Sequence, residues 1–217
     1  MQAGLIDSGT AAPAFVLPDQ SGTTRALADY AGAPLVLYFY PKDDTTACTE
    51  EACAFGELLP KFKGVQVVGI SPDSVKSHAK FAAKYGLTFP LLADEPSAGG
   101  VPQVCTAFGV WQEKSMYGKK YMGVVRTTYL IGPDGTVAQR WDKVKVAGHA
   151  EEVLAAAKTV ASGASVTSRA EPAARSGANA PSAAPKKVTR RKAVVKRGSS
   201  KSATSSRRVT KKKASRR

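Results

Sequence analysis

Apolar positions fall along this chain in two rhythms. Residues 35–40, LVLYFY, form an unbroken apolar run after Gly32-Ala33-Pro34. That is the pattern of a strand buried on both faces. GVQVVGI at 64–70 and TTYLIG at 127–132 repeat it. Pro133-Asp134-Gly135 then marks a turn, and TVAQRW at 136–141 completes a hairpin. Between these runs the spacing becomes helical. Residues 49–61 place Ala52, Phe55, Leu58 and Leu59 on one face, and residues 74–85 do so with Val75, Ala79, Ala82 and Ala83. Residues 150–160, AEEVLAAAKTV, give another helix. On the Lys-rich 74–85 helix, His78 reads as a solvated side chain. The segment APAFVLPDQSG near the start reads as an edge strand and turn. This order, β-α-β-α…β-β-α, predicts a layered α/β domain with a mixed central sheet flanked by helices. No internal repeat is visible.

The pattern stops near residues 161–163, and here composition changes the picture. Residues 161–217 contain no Leu, Ile, Met, Phe, Trp or Tyr. A chain so poor in apolar surface cannot offset the entropy of ordering itself, so a disordered basic tail is expected over 161–217. The net charge of +15 divides unevenly: the tail carries 17 Lys/Arg and a single acid, and residues 1–160 sum to −1. The body is therefore one near-neutral domain, residues 1–160, long enough to bury a core.

Several classes drop out. No apolar stretch is long enough for a transmembrane helix. MQAGLIDSGT has neither a basic n-region nor an apolar h-region, so no secretory signal is expected. Three cysteines cannot staple a chain of this length. The expected location is cytoplasmic, where a cysteine pair serves catalysis or metal binding more often than structure. Zinc is a poor fit: the pair is C-x₄-C, with no second pair and only His78 and His149 beside it.

The richest segment is YFYPKDDTTACTEEAC, residues 38–53. A buried strand ends near Pro41, a polar loop follows, and a helix starts near Cys48. At a helix N-terminus the free N–H groups and the positive dipole end favour a thiolate. Asp43, Asp44 and Glu50 oppose that effect if they point at the sulfur, so a separate basic residue is wanted. Taken alone, Cys48 stays open between a buried small hydrophobe and a reactive thiol. Cys105, in VCTAFGVW, reads as packing.

Pro41, Thr45 and Cys48 match the peroxiredoxin signature Pro-x-x-x-Thr-x-x-Cys. The surrounding YPKDDTTACTEEAC resembles the bacterioferritin comigratory protein group, also called peroxiredoxin Q. Further matches run through the body: Ala12-Pro13-x-Phe15-x-Leu17, Val68-Gly-Ile-Ser71, Tyr85-Gly-Leu-x-Phe89-Pro90-Leu91-Leu92, Phe108-Gly-Val-Trp111, Lys114-x-Met116-Tyr-Gly-Lys119 and Gly123-x-x-Arg126-x-Thr128. Thr46-Ala47 departs from the Pro-Gly common in that group, and residues 95–103 match poorly. The tail lies outside the resemblance.

The resemblance implies a thioredoxin-like fold and a thiol peroxidase that reduces hydrogen peroxide and organic hydroperoxides without a cofactor. By position, Cys48 falls where the family has its peroxidatic cysteine. Thr45 falls where a hydroxyl orients the peroxide, and Pro41 where a ring shields the thiolate. Arg126 falls where a guanidinium supports thiolate and peroxide, which supplies the missing charge. Cys53 falls where some members carry the resolving cysteine. The implied cycle runs through a Cys48 sulfenic acid and a Cys48–Cys53 disulfide, recycled by thioredoxin or a glutaredoxin-like dithiol.

The spacing adds a physical demand. Five residues on one helix separate the Cα atoms by about 8.6 Å, from a rise of ~1.5 Å and ~3.6 residues per turn. A disulfide needs roughly 4.4–6.8 Å, so the helix must unwind before the two sulfurs meet. Two other readings stay open. One is a redox sensor. The other is a nucleic-acid-binding protein, in which residues 186–217 hold DNA, RNA or another polyanion non-specifically and give a nucleoid address.

Overall fold

The computed structural model describes residues 4–97, 99–116 and 118–163. The tail expected from 161 onward lies, after its first three residues, outside the described residues. The central sheet has five strands: β3 (Leu35–Phe39), β4 (Gln66–Ser71), β5 (Leu91–Ala93), β8 (Thr127–Ile131) and β9 (Val137–Asp142). Their order is β5-β4-β3-β8-β9. β3, β4 and β5 run parallel, β8 runs antiparallel beside β3, and β9 runs antiparallel beside β8. The sheet is thus mixed, as the element order predicts. Two hairpins stand apart from it: β1 (Val16–Pro18) with β2 (Thr24–Ala26), and β6 (Trp111–Met116) with β7 (Lys119–Val124).

β3 shows why the 35–40 run is apolar throughout. Alternate side chains of a strand point to opposite faces, and here both faces are covered. Val36, Tyr38 and Tyr40 pack on one side with Phe55, Phe81, Val153 and Leu154. These come from α1 (Thr46–Leu58), α2 (Val75–Tyr85) and α4 (His149–Ala161). Leu35, Leu37 and Phe39 pack on the other side with Phe15, Phe108, Val110 and Tyr129. Phe55 is fully buried and stacks on Tyr38, with ring centroids 4.9 Å apart. Truncating such a ring to alanine costs about 3–5 kcal/mol.

The strands and helices read from the sequence all form, with ends shifted by a few residues. The 132–135 turn closes with Gly135 N–H donating to the Gly132 carbonyl at 2.9 Å. α1 begins at Thr46, earlier than the 49–61 reading, because Thr45 takes the extended backbone of an N-cap. α2 ends at Gly86, whose φ of +65 is the left-handed state that closes many helices. Five elements escape the pattern: β2, β5, β6, β7 and α3 (Gln103–Ala107). β2, β5 and α3 are too short to show a period. Much of the β6–β7 hairpin is exposed, so it has no buried face to impose alternation.

One reading is corrected outright. His78 is not solvated; it is fully buried. It sits three residues after Val75 and three before Phe81, on the buried stripe of α2. Its ring finds polar partners there, which is how a titratable group is held in a core.

Candidate active site

The chain leaves the sheet at the carboxyl end of β3, crosses a six-residue loop and enters α1. Thr45 is the N-cap, with φ −92 and ψ 150. Its hydroxyl donates to the Lys42 carbonyl at 3.1 Å and makes no capping bond to the helix. The first intrahelical bond runs from Thr49 N–H to the Thr45 carbonyl, 2.9 Å. The N–H groups of the first turn therefore have no intrahelical acceptor. Cys48 occupies the third helical position and is 1% exposed. Pro41 is half-buried and Thr45 exposed, so the loop forms the outer wall of the site.

Arg126 arrives from the neighbouring strand. β8 runs antiparallel to β3, with Thr127 opposite Phe39, so the residue just before β8 lies beside the end of β3. Arg126 Nη2 is 3.1 Å from Cys48 Sγ, and Nη1 donates to Glu51 Oε2. One guanidinium thus bridges sulfur and carboxylate. Burial weakens this cation, but the charges of Glu51 and Cys48 outweigh that and hold its proton more tightly than usual.

Glu51 was not a sequence candidate, yet it is built into the site. It lies three residues after Cys48 on the inward face of α1 and is 1% exposed. Its Oε1 has no hydrogen-bond partner among the described residues. Burial pushes this carboxyl up to about 7, although the Arg126 guanidinium pulls the other way. The signal was present: a carboxylate on the same stripe as Cys48, Ala52 and Phe55 needs a buried cation. The three acids near the thiol in sequence are engaged elsewhere or exposed. Asp43 is buried against His78, Asp44 pairs with Lys84 and Glu50 is exposed.

The other two cysteines differ sharply. Cys53 is half-buried in α1, beside a cavity of about 260 Å³ lined by Gly56, Glu57, Tyr85 and Leu87. Burial and the nearby Glu57 raise its thiol above the ordinary range. Cys105 is fully buried, and its backbone N–H donates to Asp94 at 2.7 Å. Burial and Asp94 push its thiol well up, as suits a packing role. All three cysteines are unbonded thiols. Among the described residues, no group of three or more His, Cys, Asp or Glu side chains is arranged to hold a metal ion.

His149 packs behind the arginine. Its Nε2 is 2.8 Å from Thr128 Oγ1, and its ring lies edge-on to Phe55 and Trp141. Burial pulls it down to about 4, so the ring is neutral at physiological pH.

A thioredoxin-like α/β sheet that sets a buried thiol at a helix N-terminus against an arginine defines a thiol-dependent redox enzyme. The family model described as AhpC/TSA matches residues 8–140, and the chain belongs to that family. Peroxiredoxin Bcp of Xanthomonas campestris pv. campestris is 52% identical over 139 residues, covering 63% of this chain and 84% of that one. Peroxiredoxin Bcp of Bacillus subtilis is 42% identical over 151 residues, covering 69% and 93%. Among solved structures, the bacterioferritin comigratory protein of Xanthomonas campestris superposes with a TM-score of 0.65 at 47% identity, covering 71% of this chain and 99% of that chain. The enzyme is a thiol-dependent peroxidase of the Bcp/peroxiredoxin Q group, acting on peroxide and drawing on a thioredoxin-like reductant. No helix among the described residues is long and apolar enough to cross a membrane.

Proposed function

We propose that Cys48 is the peroxidatic cysteine and Cys53 the resolving one. The observation that carries this is the Arg126 guanidinium 3.1 Å from Cys48 Sγ, at a helix end whose N–H groups are open. The Cys48 thiolate attacks one peroxide oxygen. An S–O bond forms, the O–O bond breaks, and the departing oxygen takes a proton and leaves as water or an alcohol. Arg126, the first-turn N–H groups and the Thr45 hydroxyl stabilise charge on the departing oxygen. Pro41 limits water at the sulfur. Glu51 fixes the guanidinium through Nη1, so that Nη2 faces Cys48.

Cys53 then attacks the Cys48 sulfenic acid, releasing water and leaving a disulfide. Both cysteines lie within the single helix α1, so this step requires its first turns to unwind. Unwinding also frees Cys53 from the burial that raises its thiol, which favours attack. A dithiol, thioredoxin or a glutaredoxin-like protein, reduces the disulfide. Hydrogen peroxide and organic hydroperoxides are the substrates; the Xanthomonas campestris structure concerns alkyl peroxide reduction by that protein. The test is peroxide consumption coupled to thioredoxin oxidation. Wild type is expected to turn over, Cys48→Ser to be inactive, and Cys53→Ser to stall after one turnover. An active Cys48→Ser enzyme overturns the assignment.

The catalytic unit in this reading is residues 1–160. The 17 Lys/Arg of residues 161–217 support a second element, non-specific polyanion binding centred on 186–217 that gives a nucleoid address. A tail of this charge on DNA should lose about 10³–10⁵ in affinity between 50 and 200 mM salt. Gel shifts with the full chain and with residues 1–163 test it, and equal shifts from both overturn it.

A further inference from the structure

Asp43 and Asp44 stand in the loop that leads into α1, and both are tied to α2. Asp43 is buried, and its carboxylate lies 2.9–3.0 Å from His78 Nδ1. The Tyr40 hydroxyl donates to the same carboxylate at 2.8 Å. The Asp43 N–H donates to Asp73 at 2.8 Å, just before α2. His78 Nε2 faces the Leu92 carbonyl at 3.2 Å. The buried ring is thus held from both sides, by the Asp43 carboxylate at Nδ1 and by the Leu92 carbonyl at Nε2. Asp44 takes a φ of +56, unusual for any residue but glycine. Lys84 Nζ at 2.7 Å and the Tyr85 hydroxyl at 2.6 Å hold it there. Neither acid serves the thiol. Together they pin the two residues before the N-cap to a neighbouring helix.

We propose that this α2 clamp, with the buried His78–Asp43 pair as its main element, sets the partition between the folded and the unwound form of the active-site helix. The inference rests on Cys53 being the resolving thiol. The wound helix keeps Cys48 under Arg126 and reactive toward peroxide. The unwound helix lets Cys48 reach Cys53. Carrying Cys48 toward Cys53 drags the 41–45 loop, and that loop is held by the His78–Asp43 and Lys84–Asp44 contacts. Separating the buried pair strands a charge away from water, so it resists most; the exposed Lys84–Asp44 pair resists less. His78 and Asp43 are therefore positioning residues. Their grip decides how long a sulfenic acid stays exposed to a second peroxide before it is resolved.

Asp43→Asn and His78→Gln test the main element, and Lys84→Ala tests the outer one. Acid-quenched mass spectrometry of the reduced full chain gives three readings: the rate of Cys48 oxidation, the rate of disulfide formation, and the peroxide dose that over-oxidises half the protein. Asp43→Asn should slow the first and speed the second, raising that dose about tenfold or more. Lys84→Ala, an exposed change that leaves the core intact, should move it the same way by about twofold. The opposed rate changes distinguish the clamp from general destabilisation, which gives no such opposition. Loss of thermal stability with both rates falling, or an unchanged dose in Lys84→Ala when the core variants do not fold, overturns the clamp. Cys53→Ser separates the underlying reading. If it still forms an intramolecular disulfide, the resolving assignment fails and the clamp with it. If it forms none while Asp43→Asn partitions like wild type, the clamp alone fails.

Discussion

Replacing Glu51 with glutamine should remove a specific part of the enzyme's pH-dependent stability. Glu51 is 1% exposed, with one oxygen on Arg126 and the other unpartnered. Its folded value, about 7, lies above the ordinary 4.5. The sign follows from the direction. Below about pH 4.5 the carboxyl is protonated in both folded and unfolded chains and contributes nothing. Between 4.5 and 7 the unfolded chain has released the proton while the folded chain keeps it, so stability falls as pH rises. Above 7 the full penalty is present. Linkage puts the loss between pH 5 and pH 8 at about 2.5 kcal/mol. Glu51→Gln keeps an amide oxygen for Arg126 and cannot titrate. Urea unfolding of both proteins under reducing conditions, at pH 5 and pH 8, reads the difference directly, because every other titrating group appears in both. Wild type should lose about 2.5 kcal/mol more than the variant across that interval. Parallel pH dependences would refute the argument, since they would mean that Glu51 titrates alike in the folded and the unfolded chain.

Other outcomes follow from the same contacts. Arg126→Met should slow the reaction of Cys48 with peroxide by about 10²–10³-fold in stopped-flow kinetics, the usual effect of losing a donor to developing charge. Arg126→Lys should also fall well short of wild type, because an ammonium has no fork to span Sγ and Glu51 together. Cys105→Ala should leave peroxidase activity unchanged and lower the unfolding free energy by about 1–2 kcal/mol, through a small cavity beside Phe108 and Val104. His149 titrates at about 4 folded against 6.5 ordinarily, so its contribution is complete above 6.5 and is lost as pH falls toward 4. His149→Gln should therefore abolish about 2 kcal/mol of the stability lost between pH 7 and pH 5, measured by denaturant melts.

Much of this molecule was legible in its sequence, for physical reasons. β3, β4 and β8 are covered on both faces, and that burial wrote the continuous apolar runs. Cys48, Arg126 and their meeting followed from a match spread over the whole body, since 78 residues separate them and no local rule pairs them. What stayed hidden depended on tertiary context. The β6–β7 hairpin has no buried face to impose a period. His78 was read from the lysines around it, although its spacing from Val75 and Phe81 placed it on the inward stripe; the partner that makes burial tolerable, Asp43, lies 35 residues away. Glu51 was hidden in the same way. It looks like one more acid on a helix until Arg126 arrives from the adjacent strand. In both cases a titratable residue on an apolar face was the available sign.

The assignment of Cys48 and Cys53 is tested most directly by treating the reduced full chain with one equivalent of hydrogen peroxide and mapping its cysteines by mass spectrometry. The account predicts loss of two hydrogens, a peptide pair joining Cys48 to Cys53, and Cys105 still a free thiol. A disulfide that includes Cys105, or oxidation that proceeds unchanged in Cys48→Ser, would contradict it.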